Sequence, residues 1–206
     1  MFRVITVSRE HGSGGGIVAE ILAKHLGWKL LDVSVVDEVA RRAKVPPNAA
    51  ARWDEGVDPW FYGLVKALWH AYASTATTPE SEPFDSETMA KMTAEIFREA
   101  AQAGECVIVG RGSQCVLRRR KDVFHVSVFA PREEKVQRLR GRLAPGTDVE
   151  RALEETDRKR SAYIKRFFGE DWKDRRLYHL TISSTLGLET VAATIVCAAG
   201  VPRAHS

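Results

Sequence analysis

Three cysteines in 206 residues, Cys106, Cys115 and Cys197, are too few and too scattered for a disulfide framework, and none stands in a Cys-x-x-Cys pair that would hold zinc. No metal-ligand set is assigned from the sequence. Long apolar runs are lacking too: nothing approaches the ~18 uncharged apolar residues of a membrane span, and the stretch from Met1 to Glu10 meets charge at Arg3, too early for a secretory leader. Neither sign of charge dominates, with 31 Lys+Arg against 27 Asp+Glu and a net charge of +4. At 44% hydrophobic and 28% charged, the composition excludes disorder and collagen-like repeats. These absences predict a cytoplasmic protein without membrane contact, folded as a single domain over 1–206. The mildly basic balance admits polyanions as partners without choosing among nucleotides and nucleic acid.

What is present is an alternation of strand and helix signals. Arg3 to Ser8 reads as a strand, followed by Gly12-Ser13-Gly14-Gly15-Gly16 and a helix over Ile17 to Leu26, whose apolar Val18, Ile21, Leu22 and Leu26 fall at helical spacing before Gly27. Trp28 to Leu31 reads as a short strand ending at Asp32, and Ser34 to Ala43 as a helix stopped by Pro46-Pro47. Residues 48–103 carry no strong strand signal; helices are expected over Trp60 to Ala73 and Ser86 to Ala103. Strand character returns at Glu105 to Gly110, Val123 to Ala130 and Leu177 to Ser183, interleaved with helices over Arg132 to Arg142, Val149 to Phe168 and Glu189 to Ala199. Such alternation predicts an α/β fold, a parallel sheet of about five strands covered by helices, with its crevice outside the carboxyl ends of the strands. The core is expected over 1–45 and 104–206, with a helical insertion over about 46–103.

A glycine-rich loop between a first strand and a first helix lets backbone N–H groups converge on phosphate oxygens at the positive end of the helix. Gly12, Ser13, Gly14, Gly15 and Gly16 make that loop. Against the pattern G-x-x-x-x-G-K-[ST], only the centre matches: Arg9 stands for the first glycine, Gly15 for the lysine and Gly16 for the Ser/Thr. Arg9, at the lip, is placed to supply the missing positive charge, the alternative being an ion pair with Glu10 or Asp32. Arg111, between Gly110 and Gly112 at a strand end, is a candidate phosphate fork. Arg158 and Arg160 lie on a helix with little apolar face, as a closing element requires.

Ser8-Arg9-Glu10-x-Gly12-Ser13-Gly14-Gly15, Asp32, Val109-Gly110-Arg111-Gly112, Asp157-x-x-Arg160-x-x-Tyr163, Gly169-x-Asp171-Trp172 and Tyr178-x-Leu180-x-Ile182-x-Ser184 together resemble the cytidylate kinase-like family, in order and in spacing. The resemblance implies a three-layer fold of the P-loop NTPase class, with the insertion binding the monophosphate and a helical lid over about 144–176. It implies transfer of the γ-phosphoryl of ATP, with Mg²⁺, to CMP, dCMP or a related small acceptor. Gly12 to Gly16 would cradle ATP, and Asp32, Arg41 and Arg111 would hold the acceptor. Arg9, Arg111, Arg158 and Arg160 would serve the transferring group. Two other readings stand beside it. One is a nucleotide-binding regulatory protein without chemistry, motivated by Gly15 and Gly16. The other is a nucleic-acid-binding protein, against which no helix-turn-helix, zinc finger or aromatic RNA-binding pattern is visible. A homodimer is compatible with all three.

Overall fold

The computed structural model describes residues 1–32, 86–144 and 146–202. Arg41 and the helices expected over 34–43 and 60–73 lie outside the described residues. In chain order the elements are β1 (Val4–Arg9), α1 (Gly15–Leu26), β2 (Lys29–Asp32), α2 (Ser86–Ala103), β3 (Cys106–Val109), α3 (Ser113–Val116), β4 (Val123–Phe129), α4 (Arg132–Arg140), α5 (Val149–Phe168), β5 (Leu180–Ser183) and α6 (Leu188–Ala199).

The five strands form one parallel sheet in the order β2-β3-β1-β4-β5. β1 is central: Val4 pairs with Cys106 on one side and Val123 on the other. Alternation along β1 decides which layer each residue meets. Ile5 and Val7 enter a core with Val18, Leu22 and Leu26 of α1 and Val191, Ile195 and Val196 of α6. Val4 faces the opposite layer, packing with Phe97, Ile96 and Ala100 of α2 and Ile108 of β3. Burial of each such side chain contributes about 1.5–3 kcal/mol. The result is the helix–sheet–helix sandwich that the alternation predicts, and it sets the carboxyl end of β1 in the middle of one edge.

The lengths of α2 and α5 are those expected. α5 carries Asp148 as its N-cap, accepting from the Arg151 N–H at 3.0 Å, and ends at Gly169 in the left-handed region. Its polar circumference conceals two anchors, Leu153 against Val136 and Leu139, and Ile164 against Cys115 and Trp172. β5 begins at Leu180 and not at Leu177 as expected, because Leu177 closes a 3₁₀ turn over Arg175–Leu177 capped by Asp174. Among the described residues no helix is long and apolar enough to cross a membrane.

Candidate active site

β1 ends at Ser8 and Arg9, and the chain turns through residues 10–14 into α1. Gly14 is the N-cap, left-handed at φ 81°, and the first turn of α1 holds no acidic residue, so its positive end is uncompensated. Within the loop the Ser13 hydroxyl is buried, donating to Glu10 O at 2.9 Å and lying 3.4 Å from the Gly15 N–H, which points to it. The Ser13 N–H goes to Glu10 O and that of His11 to Asp157 Oδ1. Among the described residues no acceptor takes the N–H of Gly12, Gly14 or Gly16. From outside, α4 braces the loop: Arg138 Nη1 donates to Ser13 O at 3.0 Å and to Ser184 Oγ at 2.9 Å, and Lys135 Nζ to Glu10 Oε2 at 2.8 Å. Arg138 is therefore a brace for the loop and stands on α4, outside the lid range.

Arg9 explains two of the glycines. A Cβ added at Gly15 would stand 2.5 Å from the Arg9 Cβ, and one added at Gly110 would stand 1.8 Å from Arg9 Nη1. The arginine thus runs across both bare positions, and its Nη2 reaches to 3.7 Å from Asp32 Oδ1; Glu10, the other candidate partner, is held by Lys135. The place of the absent lysine is filled by the stem of this arginine. Gly15→Lys, which restores the common pattern, is therefore expected to destabilise by about 1–3 kcal/mol through overpacking and to create no activity. Denaturant titration beside an ATP-turnover assay checks this. A fully stable variant with raised turnover would show that Arg9 does not occupy the lysine's place.

After β3 comes a turn with three successive positive φ angles: Gly110 at 76°, Arg111 at 50° and Gly112 at 75°. Arginine pays for this conformation in strain, the kind of cost found at binding sites. Arg111 Cζ lies 5.0 Å over the Tyr163 ring of α5. α5 is docked on the loop itself, since Arg160 Nη1 donates to Arg9 O at 2.9 Å and Asp157 Oδ1 accepts from the His11 N–H at 2.8 Å. Behind it, Trp172 Nε1 donates to Ser8 Oγ at 2.8 Å.

Between these pieces lies a cleft of about 420 Å³. Arg9, Arg111, Lys159 and Arg160 line it together with Ser8, Gln114, Thr156 and Tyr163, and among the described residues no carboxylate does. Burial, then the charge of Arg9, lowers Arg160 to about 10, which leaves it protonated at neutral pH. Burial, then Arg160, Arg9 and Lys135, holds His11 below the ordinary imidazole value. Burial raises the Asp157 carboxyl, against the pull of the His11 N–H and Arg160. A buried positive field of this kind selects for anions.

The structure brings Arg9, Arg111 and Arg160 together. Arg158 is exposed on α5 and is not among the lining residues, and neither is Asp32. Its helical neighbour Glu154, a candidate i,i+4 partner, pairs instead with Arg132. Lys159, Gln114 and Thr156 were not anticipated. Thr156, Lys159, Arg160 and Tyr163 follow the i, i+3, i+4, i+7 spacing of one helix face, a signal readable in the sequence; Gln114 sits in the four-residue α3, too short to leave a periodic trace. Gly16 stands where a hydroxyl for Mg²⁺ would be, Asp157 Oδ1 accepts from the His11 N–H, and among the described residues there is no cluster of three or more His, Cys, Asp or Glu.

A crystal structure of an uncharacterized protein from Eubacterium ventriosum has the same fold, with a TM-score of 0.67, 20% identity and coverage of 97% of this chain and 99% of that one. A gluconokinase from Sinorhizobium meliloti (TM-score 0.52, 15% identity, 96% and 91% covered) and a shikimate kinase from Acinetobacter baumannii (0.50, 17%, 95% and 92%) are also similar. The fold is thus the three-layer α/β fold of the P-loop kinases. A cytidylate kinase from Shewanella baltica (strain OS155) is 33% identical over 54 residues, 26% of this chain and 24% of that protein, so the match spans about a quarter of the curated relative's length. The sequence pattern of the cytidylate kinase-like family runs over residues 4–186, through every described strand and through the loop, turn and helix that frame the cleft, and the chain belongs to that family.

Proposed function

We propose that the protein is an ATP-dependent phosphotransferase acting on a small phosphorylated acceptor, a nucleoside monophosphate of the CMP or dCMP kind. The observation that carries this reading is the cleft lined, among the described residues, by four cations and no carboxylate, beside a glycine loop in which the N–H groups of Gly12, Gly14 and Gly16 face no acceptor among those residues. Phosphoryl transfer asks for alignment and for positive charge around the equatorial oxygens. In this reading the amides of Gly12, Gly14 and Gly16 and the end of α1 hold the ATP phosphates. Arg111 holds the acceptor phosphate, and Arg9 and Arg160, the latter bonded to the Arg9 carbonyl at the lip of the loop, bear on the group in flight. α5, the core of the lid range, closes over them. Mg²⁺ would accompany the nucleotide; no step is assigned to it. Arg41, expected to hold the acceptor with Asp32 and Arg111, lies outside the described residues.

Gly16 offers a clean test of the donor site. Among the described residues nothing lies within 4 Å of a Cβ added there. Gly16→Asp should leave the free protein as stable or slightly more so, because an acidic side chain favours a helix N-terminus by about 0.3–1 kcal/mol. It should abolish Mg-ATP binding by calorimetry, since the same charge repels phosphate. Unchanged ATP affinity in that variant would remove the loop as the donor site. A coupled ADP-release assay over all nucleoside monophosphates then decides the chemistry: ATP binding without turnover on any of them leaves the regulatory reading.

A further inference from the structure

Gln114 is 1% exposed and is one of the residues lining the cleft. Its Oε1 is buried and receives no hydrogen bond from any of the described residues. Buried side-chain carbonyls are seldom left without a donor, and one that is has given up a bond to water with no bond from the protein in its place.

The orientation of this amide is fixed by its neighbour. Tyr178 Oη donates its single proton to Trp172 O at 2.8 Å, so towards Gln114 it can only accept. Gln114 Nε2 therefore faces Tyr178, at 3.4 Å, and the carbonyl is turned away from it. Ser8 Oγ, 3.2 Å from Tyr178 Oη and bonded to Trp172 Nε1, closes the network and ties it to the end of β1. The amide cannot turn over without losing its one partner.

We propose that Gln114 is a specificity-determining residue for the acceptor, its carbonyl taking an N–H or O–H carried by the acceptor molecule in the cleft. This rests on the phosphotransferase reading. Phosphate oxygens only accept, and the cations of the cleft match them; the donor that Gln114 requires lies on the rest of the molecule, as a sugar hydroxyl or a ring amine. An otherwise similar compound with a carbonyl at that place meets carbonyl against carbonyl. Sites built to hydrogen-bond a substrate group discriminate strongly against analogues that lack it, because the protein group is then left unpaired.

The test is calorimetry of CMP, UMP and dCMP against the full chain, wild type and Gln114→Met, with Mg-ATP titrated into the same samples. UMP has a carbonyl where CMP has an amine, and dCMP lacks the 2′-hydroxyl, so the two comparisons separate a base donor from a sugar donor. The wild type is expected to prefer CMP over one of them by about ten- to a hundred-fold. Gln114→Met should erase that preference while Mg-ATP affinity stays the same and the thermal midpoint holds or rises, which a merely structural glutamine would not allow. Tyr178→Phe, which frees the amide to turn, should narrow the same preference, and it alone decides if Gln114→Met fails to bind Mg-ATP. Equal binding of all three by the wild type, or a preference that survives substitution, overturns the proposal and leaves the phosphotransferase reading standing. If none of the three binds the wild type, the acceptor class itself is wrong and both fall.

Discussion

Arg111→Ala is expected to lower kcat/KM for the acceptor by ~10²- to 10³-fold, about 2–4 kcal/mol of lost charge-assisted bonding, with Mg-ATP binding nearly untouched. Arg111→Lys should be impaired as well, because an ammonium replaces a planar fork that holds two phosphate oxygens at once. The backbone supplies a control that separates function from structure. Arg111 sits at φ 50° between two left-handed glycines, so Arg111→Gly relieves strain of about 1–2 kcal/mol while deleting the guanidinium. Its thermal midpoint should equal or exceed that of the wild type after loss of the Tyr163 contact, and its acceptor turnover should match Arg111→Ala. Steady-state kinetics and calorimetry on the three variants check this. A midpoint several degrees lower with acceptor affinity intact would make Arg111 a structural residue.

The second large effect concerns acid. His125 is 4% exposed in the middle of β4, with Nδ1 2.7 Å from Thr6 Oγ1, Nε2 buried without a partner among the described residues, and the His179 ring stacked at 5.3 Å. Burial, then the neighbouring His179, pushes its pKa down from 6.5 to about 4. The folded chain therefore keeps this imidazole neutral over a range in which the unfolded chain protonates it. Between about pH 6.5 and 4 the unfolded state binds the extra proton, so stability falls as pH falls, by about 3 kcal/mol in all, and His125 contributes no slope above pH 7. His125→Asn keeps a polar atom towards Thr6 and cannot titrate. Urea titrations from pH 7 to 4 should show the wild type losing about 3 kcal/mol more than His125→Asn. Parallel curves would place the acid sensitivity elsewhere.

Most of the sheet could be read from the sequence because its signals are local. The Val-Ile-Thr-Val run of β1 and the Val-Ile-Val run of β3 are buried on both faces, as parallel strands are, and the left-handed Gly27 and Gly169 mark helix ends. The docking of α5 was less legible. Leu153 and Ile164 are eleven residues apart, too sparse for an apolar stripe, and its firmest attachments are polar bonds from Asp157 and Arg160 to loop backbone that no periodicity encodes. The run Arg118 to Lys121 reads as a solvated turn, yet Arg120 Nη2 reaches Ala101 O at 2.9 Å and pairs with Asp122, and Arg118 pairs with Glu170. Gly15 and Gly110 look like loop residues in sequence; the reason for both is one arginine whose path only the fold reveals.

The central place of β1 also governs how the chain reaches this state. Val4 to Arg9 finds its partners about a hundred residues later, in Cys106–Val109 and Val123–Val128. During synthesis at ~5–20 residues per second, the strand emerges roughly 5–20 s before the partners on either side of it exist. For that interval an apolar segment with two unpaired edges has nothing of its own to pair with, the condition in which strands seek other chains. Closing contacts of such separation also makes folding slow, on the order of milliseconds to seconds. The topology that sets the glycine loop at the middle of the sheet thus leaves the first strand of the newborn chain open to pairing with other chains until its own partners are made.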